Sequence, residues 1–242
     1  MMYTVKQAII MAAGIGKRMR PITLHTPKPL IRVNGVRMID TVISGLHANG
    51  IVKIYIVVGY LKEQFAVLEE EYKGVEIIEN PYFDTCNNIS SLYVARDYLE
   101  DVMIIDGDQI IYNNKILSPE FEKSGYNAVW TEKKTDEWLM QVENGKVVSC
   151  SRTGGKKGWQ LFSVSCWSAE DGKRLRKHLE EEFIEKQNKQ IYWDDVVMFC
   201  HFEDYDLGIR EMQAGDIIEI DSYAELAKLD NSYRMGGNDE SR

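Results

Sequence analysis

Residues 9–30 read Ile9-Ile10-Met11-Ala12-Ala13-Gly14-Ile15-Gly16-Lys17-Arg18-Met19-Arg20-Pro21-Ile22-Thr23-Leu24-His25-Thr26-Pro27-Lys28-Pro29-Leu30, a short apolar run that breaks into a small, glycine-containing, basic loop. A loop of this kind at a strand end suits a nucleoside triphosphate. Small side chains at Ala12, Ala13, Gly14 and Gly16 let the backbone come close to a ligand, and its successive N–H groups can face phosphate oxygens. Lys17, Arg18 and Arg20 add positive charge, with arginine offering a planar fork that fits phosphate. The segment is not a Walker A loop, because Met11 stands where that pattern needs its first Gly and Arg18 follows the Lys. It is not a dinucleotide fingerprint either, since Met19 occupies the third Gly position.

The same residues resemble the L-x-A-G-x-G-x-R-(L/M)-x-P-x-T…P-K-x-L signature of the nucleotidyltransferases that join a nucleoside triphosphate to a sugar phosphate or an alcohol phosphate. Many strand-to-helix turns contain a Gly and a basic residue, but that does not bring Pro21, Thr23, Pro27, Lys28 and Leu30 into place together.

Composition is compatible with this reading and narrows it. At 242 residues, 44% hydrophobic and 28% charged, the chain can bury a large core. Its net charge of −9 disfavours general nucleic-acid binding, so the cations of residues 17–28 are expected to be a local anion site. Cys86, Cys150, Cys166 and Cys200 are scattered and form no C-x-x-C pair, and His25, His47, His178 and His201 show no H-x-x-x-H spacing. Reduced thiols and no zinc site are therefore expected. Without a signal peptide or an apolar run of membrane-spanning length, a cytoplasmic protein that binds no membrane is expected.

Along the chain, strands are predicted at 7–11, 54–58, 75–79 and 102–105, alternating with helices at 38–49, 62–72 and 90–98. This order implies an α/β fold, a doubly wound, mostly parallel Rossmann-like sheet with its ligand crevice at the strand C-terminal ends. After residue 112 the texture becomes β-rich, with strands expected at 128–132, 139–143, 146–149 and 161–167 and a hairpin turn at Asn144-Gly145. They read as a meander laid over or beside the first sheet. Ser168 can N-cap a helix to about residue 187, with Asp171 completing a capping-box-like start, and a shorter helix is expected at 192–198. A strand at 217–220 and a helix at 223–229 close a single domain, 1–232, and residues 233–242 read as a disordered tail.

Chemistry on a triphosphate needs a divalent cation, which implies Mg2+ and carboxylates converging on the loop. Asp108 follows the 102–105 strand and Gly107, and is the favoured ligand; Asp106 fits a structural turn equally well. Asp194 offers a second carboxylate, although Asp194 and Asp195 also sit where a helix start favours acids. Trp138 and Tyr192, each close to an acid in sequence, suit a quaternary ammonium group, which has no hydrogen-bond donor and is attracted to aromatic faces. Each ring can equally be core packing.

The segments 57–65, 87–93, 105–108, 137–138, 192–194 and 219–222 together resemble the bacterial choline-phosphate cytidylyltransferases, and the likeness covers residues 7–229. The resemblance implies a nucleotidyltransferase sheet and the reaction of CTP with phosphocholine to CDP-choline and pyrophosphate, with magnesium. It implies that Ala12, Ala13, Gly14, Gly16, Lys17 and Arg18 hold the nucleotide, with Asn88 and Ser90 near base or ribose. It further implies that Arg18, Lys28 and Asp108 are catalytic, that Asp108 and Asp194 gather the metal, and that Trp138, Tyr192 and Asp194 bind choline. The chain departs from the family at the metal turn, which reads Asp106-Gly107-Asp108-Gln109. Three alternatives stay open: a cytidylyltransferase for phosphoethanolamine or 2-aminoethylphosphonate, a sugar-phosphate nucleotidylyltransferase, and a silent nucleotide-sensing module.

Overall fold

A computed structural model describes residues 2–234. The strand Gln7–Ala12 lies at the centre of a nine-stranded sheet, parallel to Lys53–Val58 on one side and to Val102–Asp106 on the other. Val75–Glu79 extends the parallel part beyond Lys53–Val58. Strand side chains alternate between two faces, and the buried residues divide accordingly. Ala8, Ile10, Ala12, Ile54, Ile56 and Val58 face one core with Ile39, Val42, Ile43 and Leu46 of the helix Met38–Ala48. Ile9, Met11, Tyr55 and Val57 face the other, with Leu92 of Ile89–Val94 and Leu175 and Leu179 of Ala169–Glu180. Helices on both faces of a mostly parallel sheet are the α/β arrangement expected from the alternating pattern.

The β-rich region does not lie over this sheet; it continues it. Gly158–Trp167 runs antiparallel beside Val102–Asp106, from Val164↔Ile105 to Trp167↔Val102. Its first half pairs with Leu139–Glu143, which forms a hairpin with Lys146–Ser151 through Asn144 and Gly145, both at positive φ as a tight turn requires. Gly125–Thr131 pairs along its other edge and carries Gly208–Glu211, a strand absent from the sequence reading.

The helices are shorter and more irregular than their apolar patterns suggest. The 62–72 segment is a 3-10 turn, Lys62–Phe65, followed by Ala66–Glu71, and the helix begun at Ala169 passes into a π-helical turn at Glu181–Glu185. Ser168 accepts from the Asp171 N–H at 3.2 Å, but the capping box does not close. The Ser168 N–H donates instead to Ser124 Oγ, which donates to the Asp171 carboxylate at 2.6 Å. At the other end, Ser222 and Glu225 do form a reciprocal box for Tyr223–Leu229. Tyr233, placed by sequence in the tail, is tied down: its hydroxyl donates to the Arg32 carbonyl at 2.7 Å. The remainder of that expected tail, from residue 235, lies outside the described residues.

Candidate active site

Parallel strands bring the chain segments after Ala12, Val58, Glu79 and Asp106 to one edge of the sheet, where the loops leave a cleft of about 640 Å³. The glycine loop forms its floor. Gly16 has φ 65°, and a Cβ there would stand 3.0 Å from Thr23 Cγ2 and 3.3 Å from Lys28 Cβ. Thr23 donates to the Gly16 carbonyl at 2.8 Å, so the loop is folded onto the Thr23 and Lys28 turns. The long motif therefore has a structural logic: its second half is the platform that holds its first half. Gly107 crosses beneath, donating its N–H to the Met11 carbonyl at 2.9 Å.

Lys28 is the buried cation of the cleft. Its Nζ donates to Asp108 Oδ2 at 2.6 Å and to Asp221 Oδ1 at 3.0 Å, and Arg18 reaches the same Asp221 oxygen at 2.9 Å. Burial alone would lower the Lys28 pKa, but the Asp108 and Asp221 carboxylates outweigh it and hold the ammonium firmly protonated. Asp221 and Glu219 are more than a hundred residues from Asp108, yet the strand Ile217–Glu219 pairs with Gln109–Ile111 so that Glu219 stands opposite Gln109. That register delivers Glu219 and Asp221 to the Asp108 turn. Both fall within the 219–222 segment of the family likeness, which implies no role for either; their i, i+2 spacing at a strand end is the one local signal of them.

A second cavity of about 280 Å³ shares Arg18, Tyr192, Glu219 and Asp221 with the cleft and is further lined by Asp106, Glu137, Trp138, Ser163 and Asp194. Here five carboxylates, Asp106, Glu137, Asp194, Glu219 and Asp221, face one lining cation, Arg18. The electrostatic consequence is marked. Burial, with the neighbouring Asp195 charge, pushes the Asp194 carboxyl up to about 7. Burial, together with Asp108 and Asp221, pushes Glu219 up to about 7, and Asp106 is raised well above its ordinary value chiefly by burial. Trp138 and Tyr192 meet edge to face at 6.1 Å and 90°, and Phe199 packs edge to face against Trp138 at 5.4 Å.

The Asp194-Asp195 pair divides its work. Asp195 is buried, accepts the Tyr192 N–H at 2.8 Å and pairs with Arg152 at 2.5 Å, so it fixes the helix start Trp193–Asp195. Asp194 is left facing the cavity beside the Tyr126 hydroxyl. Trp193, the other aromatic of that segment, is core, packed against Tyr126 and Trp167.

A third, smaller pocket of about 130 Å³ opens from the glycine loop and is lined by Ala13, Gly14, Phe83, Asn88, Ser90 and neighbours. Ser90 is already engaged: it accepts from Asn80 Nδ2 at 2.9 Å and donates to the Asn87 carbonyl at 2.8 Å. Asn88 Oδ1 accepts the Trp193 N–H at 2.9 Å, which ties this pocket to the wall of the second cavity. Thus the structure gathers Ala12, Gly14, Gly16, Lys17, Arg18, Lys28 and Asp108 around the cleft, Trp138, Tyr192 and Asp194 around the second cavity, and Ala13, Asn88 and Ser90 around the third pocket. Asp194 lines the second cavity, whereas the carboxylates sharing the cleft with Asp108 are Glu219 and Asp221.

The residues present fit a divalent cation. Asp108 Oδ1 is buried and lacks a hydrogen-bond partner among the described residues, while Oδ2 is held by Lys28. An unpaired carboxylate oxygen beside two more carboxylates is a hard-oxygen donor set of the kind magnesium takes.

The family profile of the MobA-like NTP transferase domain matches residues 8–189. The chain is 43% identical over 229 residues to a 2-aminoethylphosphonate cytidylyltransferase of Lancefieldella rimae, covering 93% of this chain and 92% of that protein. It is 34% identical over 224 residues to a choline-phosphate cytidylyltransferase of Streptococcus pneumoniae, covering 93% and 96%. The solved structure of CTP:phosphocholine cytidylyltransferase from Streptococcus pneumoniae superposes with a TM-score of 0.85 at 33% identity, covering 96% of this chain and all of that one.

Proposed function

The chain belongs to the MobA-like NTP transferase family, and from that premise we propose that it is a cytidylyltransferase joining CTP to a small phosphonate or phosphate bearing an amine cation, with 2-aminoethylphosphonate the first substrate. The observation that carries this reading is the acceptor-rich lining of the second cavity, where five carboxyl groups meet one lining cation. A primary ammonium has three N–H donors and is best satisfied by such acceptors, whereas a quaternary ammonium donates none and relies on aromatic faces. The cavity joins the triphosphate cleft at Arg18 and Asp221, so a ligand spanning both would set its anionic end beside the nucleotide. The likeness to the Lancefieldella protein supports the same choice. A second reading, phosphocholine, is favoured by the perpendicular Trp138 and Tyr192 rings, which offer two walls of an aromatic box.

In this mechanism a phosphonate oxygen, already an anion, attacks the α-phosphorus of CTP in line and pyrophosphate leaves from the opposite side, with no covalent enzyme intermediate and no general base. Backbone N–H groups of residues 12–18 and the third pocket position the nucleotide. Lys28 and Arg18 stabilise charge on the α-phosphate and leaving group, exchanging Asp221 and Asp108 for phosphate oxygens as substrate arrives. Magnesium, when bound, neutralises triphosphate charge; Asp108 would hold it, with Glu219 and Asp221 alongside. Asp194 is assigned to the substrate cation.

The test is a pyrophosphate-release assay crossing CTP, UTP, dTTP and ATP with 2-aminoethylphosphonate, phosphoethanolamine, phosphocholine and glucose 1-phosphate. The highest kcat/KM is expected for CTP with 2-aminoethylphosphonate. A higher value with phosphocholine would establish the second reading, and turnover confined to the sugar phosphate would overturn both.

A further inference from the structure

Two walls of the second cavity come from parts of the chain that share no sheet or helix. Trp138 stands at the open end of the hairpin formed by Leu139–Glu143 and Lys146–Ser151, whereas Tyr192 and Asp194 open the short helix Trp193–Asp195. The hairpin pairing closes with Leu139↔Ser151, so the next residue, Arg152, leaves the sheet beside Trp138. From there its guanidinium reaches the helix start, with Nε 2.7 Å and a terminal nitrogen 2.5 Å from Asp195 Oδ1. The same group lies 3.9 Å from the centre of the Phe199 ring and 6.0 Å from that of Trp138. Asp195 is 3% exposed, and its other oxygen accepts the Tyr192 N–H at 2.8 Å.

We infer that Arg152 is a positioning residue: it sets the spacing between Trp138 and the Tyr192–Asp194 wall, and through that spacing the fit of the substrate's cation. The inference rests on the reading that the second cavity receives that cation. A buried carboxylate needs a partner, and a guanidinium can bond to it while also covering an aromatic ring, which a lysine ammonium cannot do. Each of the two contacts acts on one wall. The bond to Asp195 Oδ1 fixes the carboxylate whose Oδ2 holds the Tyr192 backbone, and with it the entry to Asp194. The contact with Phe199, which itself packs against Trp138 at 5.4 Å, holds the indole from the hairpin side. Arg152 thus joins both walls without itself lining the cavity. Walls held before the ligand arrives spare binding the entropy of ordering their side chains. Nothing in the spacing of the sequence singles out Arg152, because its partners come from a different element.

The test uses the full chain in three forms: unaltered, Arg152→Met, and Arg152→Met combined with Asp195→Asn. Methionine keeps apolar packing like that of the arginine stem and removes the clamp. In the single variant Asp195 is left buried without its cation, and Tm should fall by about 5 °C or more. Asn in the double variant removes that charge, keeps an acceptor for the Tyr192 N–H, and should restore most of the Tm. Steady-state pyrophosphate release is measured with CTP and 2-aminoethylphosphonate, and with CTP and phosphocholine. Both variants should raise KM for the cationic substrate about five- to thirtyfold, with kcat and KM for CTP within about twofold of the unaltered chain. A KM that recovers together with Tm in the double variant would overturn the inference, since Arg152 would then only neutralise Asp195. A second readout needs no turnover. In chain labelled with 5-fluorotryptophan, the Trp138 fluorine line, identified with Trp138→Phe, should be narrow in the unaltered chain and broadened or split in the double variant, while the Trp130 line keeps its width. If neither cationic substrate is turned over, the proposed function falls and this line alone decides the inference; a narrow Trp138 line in the double variant would overturn it.

Discussion

Replacing Asp194 by Asn separates what the site costs the fold from what it does for the substrate. Burial and the nearby Asp195 lift the Asp194 carboxyl from 3.8 to about 7. A carboxyl whose folded pKa is raised has an ionised form that folding disfavours: no penalty exists below its unfolded pKa, it grows as pH rises, and it is complete above the folded pKa. The whole span corresponds to about 4 kcal/mol for a dry carboxyl and, with the side chain open to a cavity that water enters, to about 2 kcal/mol. Asn keeps the shape and removes the charge. Asp194→Asn should therefore raise Tm relative to the unaltered chain, slightly at pH 5 and most at pH 8. The same change removes a charged contact to the amine, worth about 1.5 to 3 kcal/mol, so KM for the amine substrate should rise about ten- to hundredfold with little change in KM for CTP. In the unaltered chain KM for the amine should fall between pH 6 and 8 as Asp194 and Glu219 ionise, and this slope should flatten in the variant. Thermal unfolding at both pH values, alongside steady-state kinetics, reads all of this. An Asp194→Asn protein that is less stable at pH 8, or that binds the amine unchanged, would refute the reasoning.

Two further predictions concern the same chemistry. Lys28→Ala and Asp108→Ala should each lower kcat/KM about a hundredfold or more in a pyrophosphate-release assay, and a near-normal rate in either would remove that residue from the mechanism. Trp138→Ala should raise KM for phosphocholine about five- to thirtyfold, the scale of a desolvated cation–π contact, and KM for 2-aminoethylphosphonate by much less; an equal rise for both would show that the ring packs the cavity rather than selecting its ligand.

What the sequence made legible follows from how local each signal is. The loop at residues 12–18, its Thr23 and Lys28 supports and the Asp106-Gly107-Asp108 turn are each punctuated by small residues and charge within a short span, and the structure gathers them at one sheet edge. The parallel strands were readable because runs such as Ile54–Ile56 and Met103–Ile105 are apolar on both faces, as strands covered by helices must be. The non-local features were not. Nothing in the spacing of residues 217–221 says that they pair with 109–111, so Glu219 and Asp221 acquire their place beside Asp108 only through tertiary register. Whether the meander lies over or beside the sheet stays open in the sequence because strand patterns show which residues are buried and not which edge they join; the pairing of Val164–Trp167 with Val102–Ile105 places it beside, as an extension. Asp194 and Asp195 are adjacent acids, and only the fold distinguishes the one that caps a helix from the one that faces the cavity.

The proposed reaction couples an amine-bearing phosphonate or phosphate to the α-phosphate of CTP. Phosphorus NMR of the full chain incubated with CTP, magnesium and 2-aminoethylphosphonate tests it most directly. Loss of the free phosphonate resonance and growth of two coupled resonances from a new phosphonate–phosphate anhydride, in step with pyrophosphate, are expected. Pyrophosphate or CMP appearing while the phosphonate resonance stays intact, with no anhydride formed from phosphoethanolamine or phosphocholine either, would contradict it.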